Sequence, residues 1–337
     1  MQEDEIIIRR GIIHILDGEL GYPVFSEQEL SLSPDINEFF RGHIYRILSG
    51  DDLKKCSFTE EEQSEAYTLL KQFSEEDLIS FSKELTSKLY NIMNANVAIP
   101  SGDLAILTFQ MHGKIYLAIL KMNYKESFVH MTQSSEIGNV NQIICYQSTL
   151  PATSTRLSEA VIIDLSDHSV QIIEKKYDIN GTKVNYLSEL FLQCKAAMSS
   201  KTKLDIVTKA IEQVNQKHYA AEPQKQMEAK SIIQKEIETK GSLNVEELGE
   251  KIYGSQKEVK EEFEAKMEKY HMEKAEVAPQ SEKTTKKFEK QYIKTDTGIE
   301  IKIPMEQYQD ADQVEFITNA DGTISVLIKN INKISTR

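Results

Sequence analysis

The sequence predicts an α+β fold: an N-terminal mixed helix and antiparallel-sheet domain, a helical segment, and a small C-terminal β-hairpin unit. Three observations carry this. Apolar residues recur at helical spacing from Ser33 to Asn96, then give way to short apolar runs bounded by turn signals. Residues 203–275 return to helical periodicity and are poor in aromatics. The rest turns to strand again around Asn319-Ala320-Asp321-Gly322, a strong hairpin signal. At 337 residues, with 40% hydrophobic and 28% charged, the chain fits two domains or two and a fragment and can bury a core. The boundaries read from the pattern are 1–200, 201–275 and 276–337.

Ile6 to Leu16, with its isoleucines, reads as a strand. Ser33-Pro34 is a helix entry, with Ile36, Phe39, Phe40, Ile44 and Ile47 at helical spacing behind it. Thr59-Glu60-Glu61-Glu62 and Ser74-Glu75-Glu76-Asp77 each look like a capping box. The second of these leads into a stripe of Leu78, Phe81, Leu85 and Leu89. Leu104 to Gln110 and Ile115 to Met122 are predicted strands joined across His112-Gly113. Val140 to Tyr146, Ala160 to Leu165 and Val170 to Lys175 are predicted strands, and Val184 to Met198 a closing helix. Breakers at Glu222-Pro223 and Gly241-Ser242 divide the helical segment into three or four helices. Met272 to Lys287, with Ala278-Pro279-Gln280-Ser281, is the best linker candidate. Four further strands follow: Phe288 to Lys294, Ile299 to Ile303, Val314 to Thr318 and Thr323 to Lys329.

The net charge of −13 is unevenly spread. Residues 1–200 hold 17 Lys+Arg against 28 Asp+Glu, whereas residues 201–295 hold 19 lysines against 18 acids. The first part repels nucleic acid on average, so a phosphate-binding surface is expected in the Lys-rich part. The longest apolar stretch, Leu104 to Met122, is interrupted by Gln110, His112, Lys114 and Lys121, which argues against a membrane span. Met1-Gln2-Glu3-Asp4-Glu5 is acidic where a secretory signal is positive, so a cytoplasmic location is expected. Cys56, Cys145 and Cys194 are scattered and odd in number, which suits a reducing compartment.

Chemistry-bearing motifs are sparse. The seven histidines form no metal-ligand spacing, and there is no phosphate loop, dinucleotide fingerprint or nucleophile elbow. No cofactor and no enzymatic activity are expected. Asp103 followed by Ile119-Leu120-Lys121 resembles half of a metal-dependent nuclease site, but an isoleucine stands where the second acid belongs. Gly241 to Leu248 followed by Gln256 to Lys269 has the outline of a helix-turn-helix. Its second helix carries Glu258, Glu261, Glu262, Glu264 and Glu268, which phosphate would repel.

The strongest candidate for nucleic-acid contact is the stretch from 286 to 294. As a strand, it points Lys286, Phe288, Lys290, Tyr292 and Lys294 to one side, and alternating ammoniums and rings suit phosphates and bases. The competing reading packs Phe288 and Tyr292 inward under the lysine stems. It is the favoured one, because Lys287, Glu289, Gln291 and Ile293 make a poor alternative core face.

Several segments occur in a familiar order: Ile99-Pro100-Ser101-Gly102-Asp103-Leu104, Leu117 to Met122, Leu150-Pro151 leading to Ser158 to Ile163, and Tyr186 to Cys194. Together they resemble the bacterial nucleoid-associated proteins of the NdpA (YejK-like) type, over nearly the whole chain. The resemblance implies a homodimer in the cytoplasm that associates with the nucleoid, with type II topoisomerase subunits as further partners and no catalytic residues to carry over. The chain departs from the pattern at Gln193, where a small residue is expected before Cys194. After Arg156 its one arginine is Arg337, so DNA binding rests on lysines and is expected to be weak and non-specific. The alternative is a protein–protein adaptor, in which the acidic N-terminal domain engages a basic partner such as a topoisomerase subunit without touching DNA.

Overall fold

In the computed structural model, which describes residues 1–58, 65–136, 138–220, 222–310 and 312–335, the two apolar runs flanking His112-Gly113 form adjacent inner strands of a seven-stranded antiparallel sheet. The chain divides into two compact units, Met1–Met198 and Ser199–Arg337.

The first unit opens with β1 (Ile7–Leu16), α1 (Pro34–Leu48), β2 (Lys54–Ser57), α2 (Glu65–Lys71) and α3 (Leu78–Asn94). It continues through β3 (Gly102–Met111), β4 (Lys114–Asn123), β5 (Lys125–Ser135), β6 (Gly138–Thr149), β7 (Ala160–Asp164) and β8 (Val170–Ile173). It closes with β9 (Tyr177–Ile179), β10 (Thr182–Val184) and β11 (Lys195–Ala196). The sheet order is β1-β3-β4-β7-β8-β2-β11. Ser33 caps α1 by accepting from the Ile36 N–H, with Pro34 in the first turn, where its missing N–H costs nothing. His112 and Gly113 both have positive φ, 51° and 77°, the two-residue turn whose twist matches paired strands.

The central strands are continuous apolar runs because both sheet faces are covered. Leu104, Ile106, Leu117, Ile119, Val161 and Ile163 face one core, with Leu78, Phe81, Leu85 and Leu89 of α3. Their neighbours in sequence, Ala105, Leu107, Ala118, Leu120 and Ile162, face a second core with Phe40, Ile44 and Ile47 of α1. A strand buried on both faces loses the polar alternation of a half-exposed one.

Three expectations change here. Residues 184–198 do not form a helix: a single wide helical turn at Leu187–Phe191 ends at once, and β11 then pairs with β2. The turn ends because Gln193 takes φ 51° and the Cys194 N–H bonds back to the Ser188 carbonyl. A left-handed residue there stops helix propagation and favours a residue without a bulky side chain. The hairpin β9–β10 is absent from the predicted strands although Asn180-Gly181 is a hairpin signal, and both residues have positive φ. Strand β5 is also absent from them, because Lys125 to Ser135 carries mostly polar residues at the alternate positions. The expected cap at Thr59 to Glu62 lies outside the described residues; Ser74 caps a short 3₁₀ turn at Glu75–Asp77, from which α3 continues.

The second unit begins with α4 (Ser200–His218), α5 (Pro223–Lys240), β12 (Leu243–Asn244), α6 (Val245–Tyr253), α7 (Lys257–Glu268) and β13 (Glu276–Val277). It ends with α8 (Glu282–Thr285), β14 (Lys290–Lys294), β15 (Glu300–Pro304), α9 (Met305–Tyr308), β16 (Val314–Thr318) and β17 (Ile324–Ile328). Gly241, at φ 71°, ends α5. The stretch marked as a linker is tied down: Met272 and Val277 are fully buried in the helical core, and Val277 pairs with Leu243. Among the described residues no helix is long and apolar enough to cross a membrane.

One buried histidine makes the first unit acid-sensitive. His14 Nδ1 accepts from the Ser26 N–H at 3.0 Å and Nε2 lies 2.8 Å from Ser82 Oγ, whose hydroxyl donates to the Ile79 carbonyl. Only the neutral ring satisfies this geometry. Burial, with Lys83 nearby and Glu27 opposing, pulls its pKa from 6.5 to about 4. Below pH 6.5 the unfolded chain therefore binds a proton that the folded one refuses. The stability this ring contributes is complete above pH 6.5 and falls by up to about 3 kcal/mol as pH drops towards 4. Denaturant melts of His14→Gln should show a shallower pH dependence over that interval than the unmodified protein, with the residual slope from His43, which burial shifts in the same direction.

Candidate nucleic-acid interface

The five residues singled out at 286–294 do not share a face, because the strand starts later than the sequence suggests. Lys286 ends α8, and its Nζ lies 2.9 Å from Glu282, which raises its pKa. Phe288 sits in the turn before β14 and is 6% exposed, packed into the helical core of the second unit. Lys290, Tyr292 and Lys294 are alternate residues of β14 and all three are exposed. The inner face, which looks poor in sequence, carries Gln291 and Ile293. Gln291 is buried because its amide donates to the Met227 carbonyl at 2.8 Å. Sequence reasoning misses this because it treats Gln291 as an unsatisfied polar group.

On the paired strand, Pro304, Lys302 and Glu300 stand opposite Lys290, Tyr292 and Lys294 in turn. The ring of Tyr292, 60% exposed, is the centre of the surface. Lys302 Nζ lies 5.6 Å and Lys230 Nζ, from α5, 5.3 Å from its centroid, both within cation–π range. Lys230 also donates to the Lys290 carbonyl at 2.6 Å, and its pKa is lowered by burial. Lys294 is 3.0 Å from Glu300, while Lys290 and Lys302 have no acidic partner at ion-pair distance among the described residues. Lys230 and Lys302 are the two members that strand periodicity within 286–294 could not reveal. Beside this surface lies an open groove of about 710 Å³, lined in part by Leu204 and Thr208 of α4, Met227 and Lys230 of α5, and Phe288 and Tyr292.

Many other lysines of this unit are neutralised locally. Lys217 pairs with Glu262, Lys251 with Glu236, Lys260 with Glu250, and Lys240 with both Glu236 and Glu247. The helix that would serve as a recognition helix, α7, buries Val259, Phe263 and Met267 and leaves its glutamates outward.

The family model of nucleoid-associated protein YejK matches residues 12–334. The chain belongs to this family. Among curated proteins none matches it. Membership makes this a protein of the bacterial nucleoid-associated class.

The first unit holds the other polar cluster of note, around the half nuclease motif. Lys121, almost fully buried, donates to the Pro100 carbonyl at 2.9 Å and to Asn123 Oδ1 at 2.7 Å. The Asn123 amide in turn donates to Glu159, which also accepts from the Tyr177 hydroxyl at 3.0 Å. Burial lowers the Lys121 pKa to about 8 against the pull of Glu159 and Asp103. Asp103 accepts from Tyr124 at 2.7 Å, and Ile119 packs in the core beside α3. Glycine is required next to this network: a Cβ on Gly102 would fall 2.5 Å from the Met122 carbonyl oxygen and 2.8 Å from Lys121 Nζ. Among the described residues no group of three or more His, Cys, Asp or Glu is placed to hold a metal ion. The cluster ties β3, β4 and β7 together at one end of the sheet. Elsewhere in the unit, Cys56 and Cys194 are brought together: the Cys56 thiol bonds to Cys194, raising the Cys56 pKa and lowering that of Cys194.

Phe288 and Tyr292 separate the two readings of the surface. Phe288→Ala should destabilise the second unit by about 3–5 kcal/mol, as for a buried ring left as a cavity. Tyr292→Ala should leave the unfolding midpoint nearly unchanged while weakening binding to single-stranded DNA, where stacking on an exposed ring counts. Thermal melts and a single-strand binding titration on both variants check this.

Proposed function

We propose that this protein is a nucleoid-associated accessory protein that contacts DNA weakly and without sequence preference, acting as a homodimer in the bacterial cytoplasm. The observation that carries the reading is the exposed face of β14 and β15, where Lys290, Lys294, Lys302 and Lys230 surround Tyr292. Lysines two apart on a strand stand roughly 6–7 Å from one another, a spacing that follows a phosphate backbone. Lysines are point charges without the planar fork that reads guanine, so such contacts position the protein without selecting a sequence. One acid on the same face, Glu300, weakens the field around Lys294 and keeps affinity low.

The triple variant Lys290→Ala, Lys294→Ala, Lys302→Ala tests this. Removing one lysine–phosphate pair should flatten the dependence of log affinity on log salt by about 0.9 for duplex DNA, so up to about 2.7 for the three. The loss should be the same on unrelated duplexes. Unchanged affinity and slope would remove DNA contact from this face. If the unmodified protein also shows no salt-dependent DNA binding, the adaptor reading stands in its place, with the acidic first unit engaging a basic partner such as a topoisomerase subunit.

A further inference from the structure

We infer that the hairpin β5–β6 of the first unit is the surface through which two copies of this chain associate. The inference rests on the homodimeric part of the reading above and is independent of its DNA-binding part.

The hairpin is a sheet of its own. Strands β5 and β6, of 11 and 12 residues, pair only with each other, and among the described residues neither hydrogen-bonds to any other strand. A two-stranded hairpin with nothing on its faces is marginal in water, and long unpaired edges invite a third strand. Both faces carry exposed apolar side chains. On one, Phe128 is 69% and Ile143 78% exposed, on either side of the Phe128–Cys145 and His130–Ile143 pairs. On the other, Val129, Met131, Val140 and Tyr146 are all exposed. Among the described residues, no other segment of the first unit presents so many large apolar groups in succession.

Charge identifies the occupant. In a chain with 28% charged residues, the formal charges between 125 and 149 are Lys125 and Glu126 at the base and Glu136 at the tip. The strand bodies between them carry Ser, Thr, Asn, Gln and one histidine, His130, besides the apolar residues, with Thr132 bonded to Asn141 and Ser134 to Asn139. Nucleic acid would need cations here, and a strongly basic partner would need acids. A face depleted of charge and carrying Phe, Tyr and Met is the composition of an interface core. A second copy presents the same neutral, apolar surface, and a two-fold axis matches a surface to itself without setting like charges against each other.

Light scattering of the full chain tests the inference. The unmodified protein should have twice the chain mass, and Phe128→Asp with Ile143→Asp should halve it while the unfolding midpoint of the sheet core is retained. A monomeric unmodified protein would overturn both this inference and the homodimer in the proposed function. A variant that stays dimeric would overturn the hairpin alone and leave the homodimer in place. Should the variant fail to fold, Cys145 of the unmodified protein provides the second readout, since it is exposed on the Phe128 face and the other two thiols are partly buried. Its labelling rate should rise on dilution as copies separate, and a rate independent of concentration would overturn the assignment.

Discussion

The first unit depends on one constraint: its central strands are apolar on both sides, so neither face of the sheet can meet water. Strands β3, β4 and β7 therefore lie between α1 and α3, and the positions of both helices follow from the need to cover them. Burial on this scale, at roughly 25 cal/mol for each square ångström of apolar surface removed from water, outweighs any single polar contact in the unit. Most polar groups in this layer are engaged, although Thr108 Oγ1 and Glu159 Oε1 are buried without a hydrogen-bond partner. Lys121 and Glu159 Oε2 are joined through the Asn123 amide, and His14 must stay neutral to keep its two bonds. The unit's acid sensitivity follows from the same burial.

What the covered sheet leaves outside is equally informative. The hairpin β5–β6 continues directly from β4 but adds nothing to the cores, and its apolar side chains stay exposed. In the second unit the anchoring role falls to Phe288. Its insertion into the helical core, with Gln291 just beyond it bonded to α5, sets which side of β14 faces outward. Lys290, Tyr292 and Lys294 are displayed as a consequence. Several lysines of the helices are paired with neighbouring glutamates, whereas Lys290 and Lys302 of the hairpin β14–β15 have no acidic partner at ion-pair distance among the described residues.

The α+β class, the hairpin at His112-Gly113, the helices from Pro34 and Leu78 and the four helices after Ser200 are legible because each has a local cause: a cap, a turn residue or a periodic stripe. The failures are non-local. Residues 184–198 look helical, and what stops the helix after one turn is a left-handed Gln193 and a pairing between β11 and the distant β2. Strand β5 lacks apolar alternation because it contributes to neither core of the unit. At the candidate interface the residue types are legible and the phase is not. A strand predicted from Phe288 begins at Lys290, which puts Phe288 inside and Lys286 away from the face, and brings in Lys302 and Lys230 from segments with no sequence link to 286–294.

The central claim, that DNA lies against the β14–β15 face, is tested most directly by amine labelling of the full chain with and without duplex DNA at low salt. Mass spectrometry then reads the protection of each lysine. Lys290, Lys294 and Lys302 should lose reactivity together on DNA, while Lys217 and Lys260, paired on the helices, and Lys54 and Lys88 of the first unit should not change. Protection confined to lysines of the first unit or of α4 to α7, with Lys290 and Lys302 as reactive as in free protein, would contradict the account.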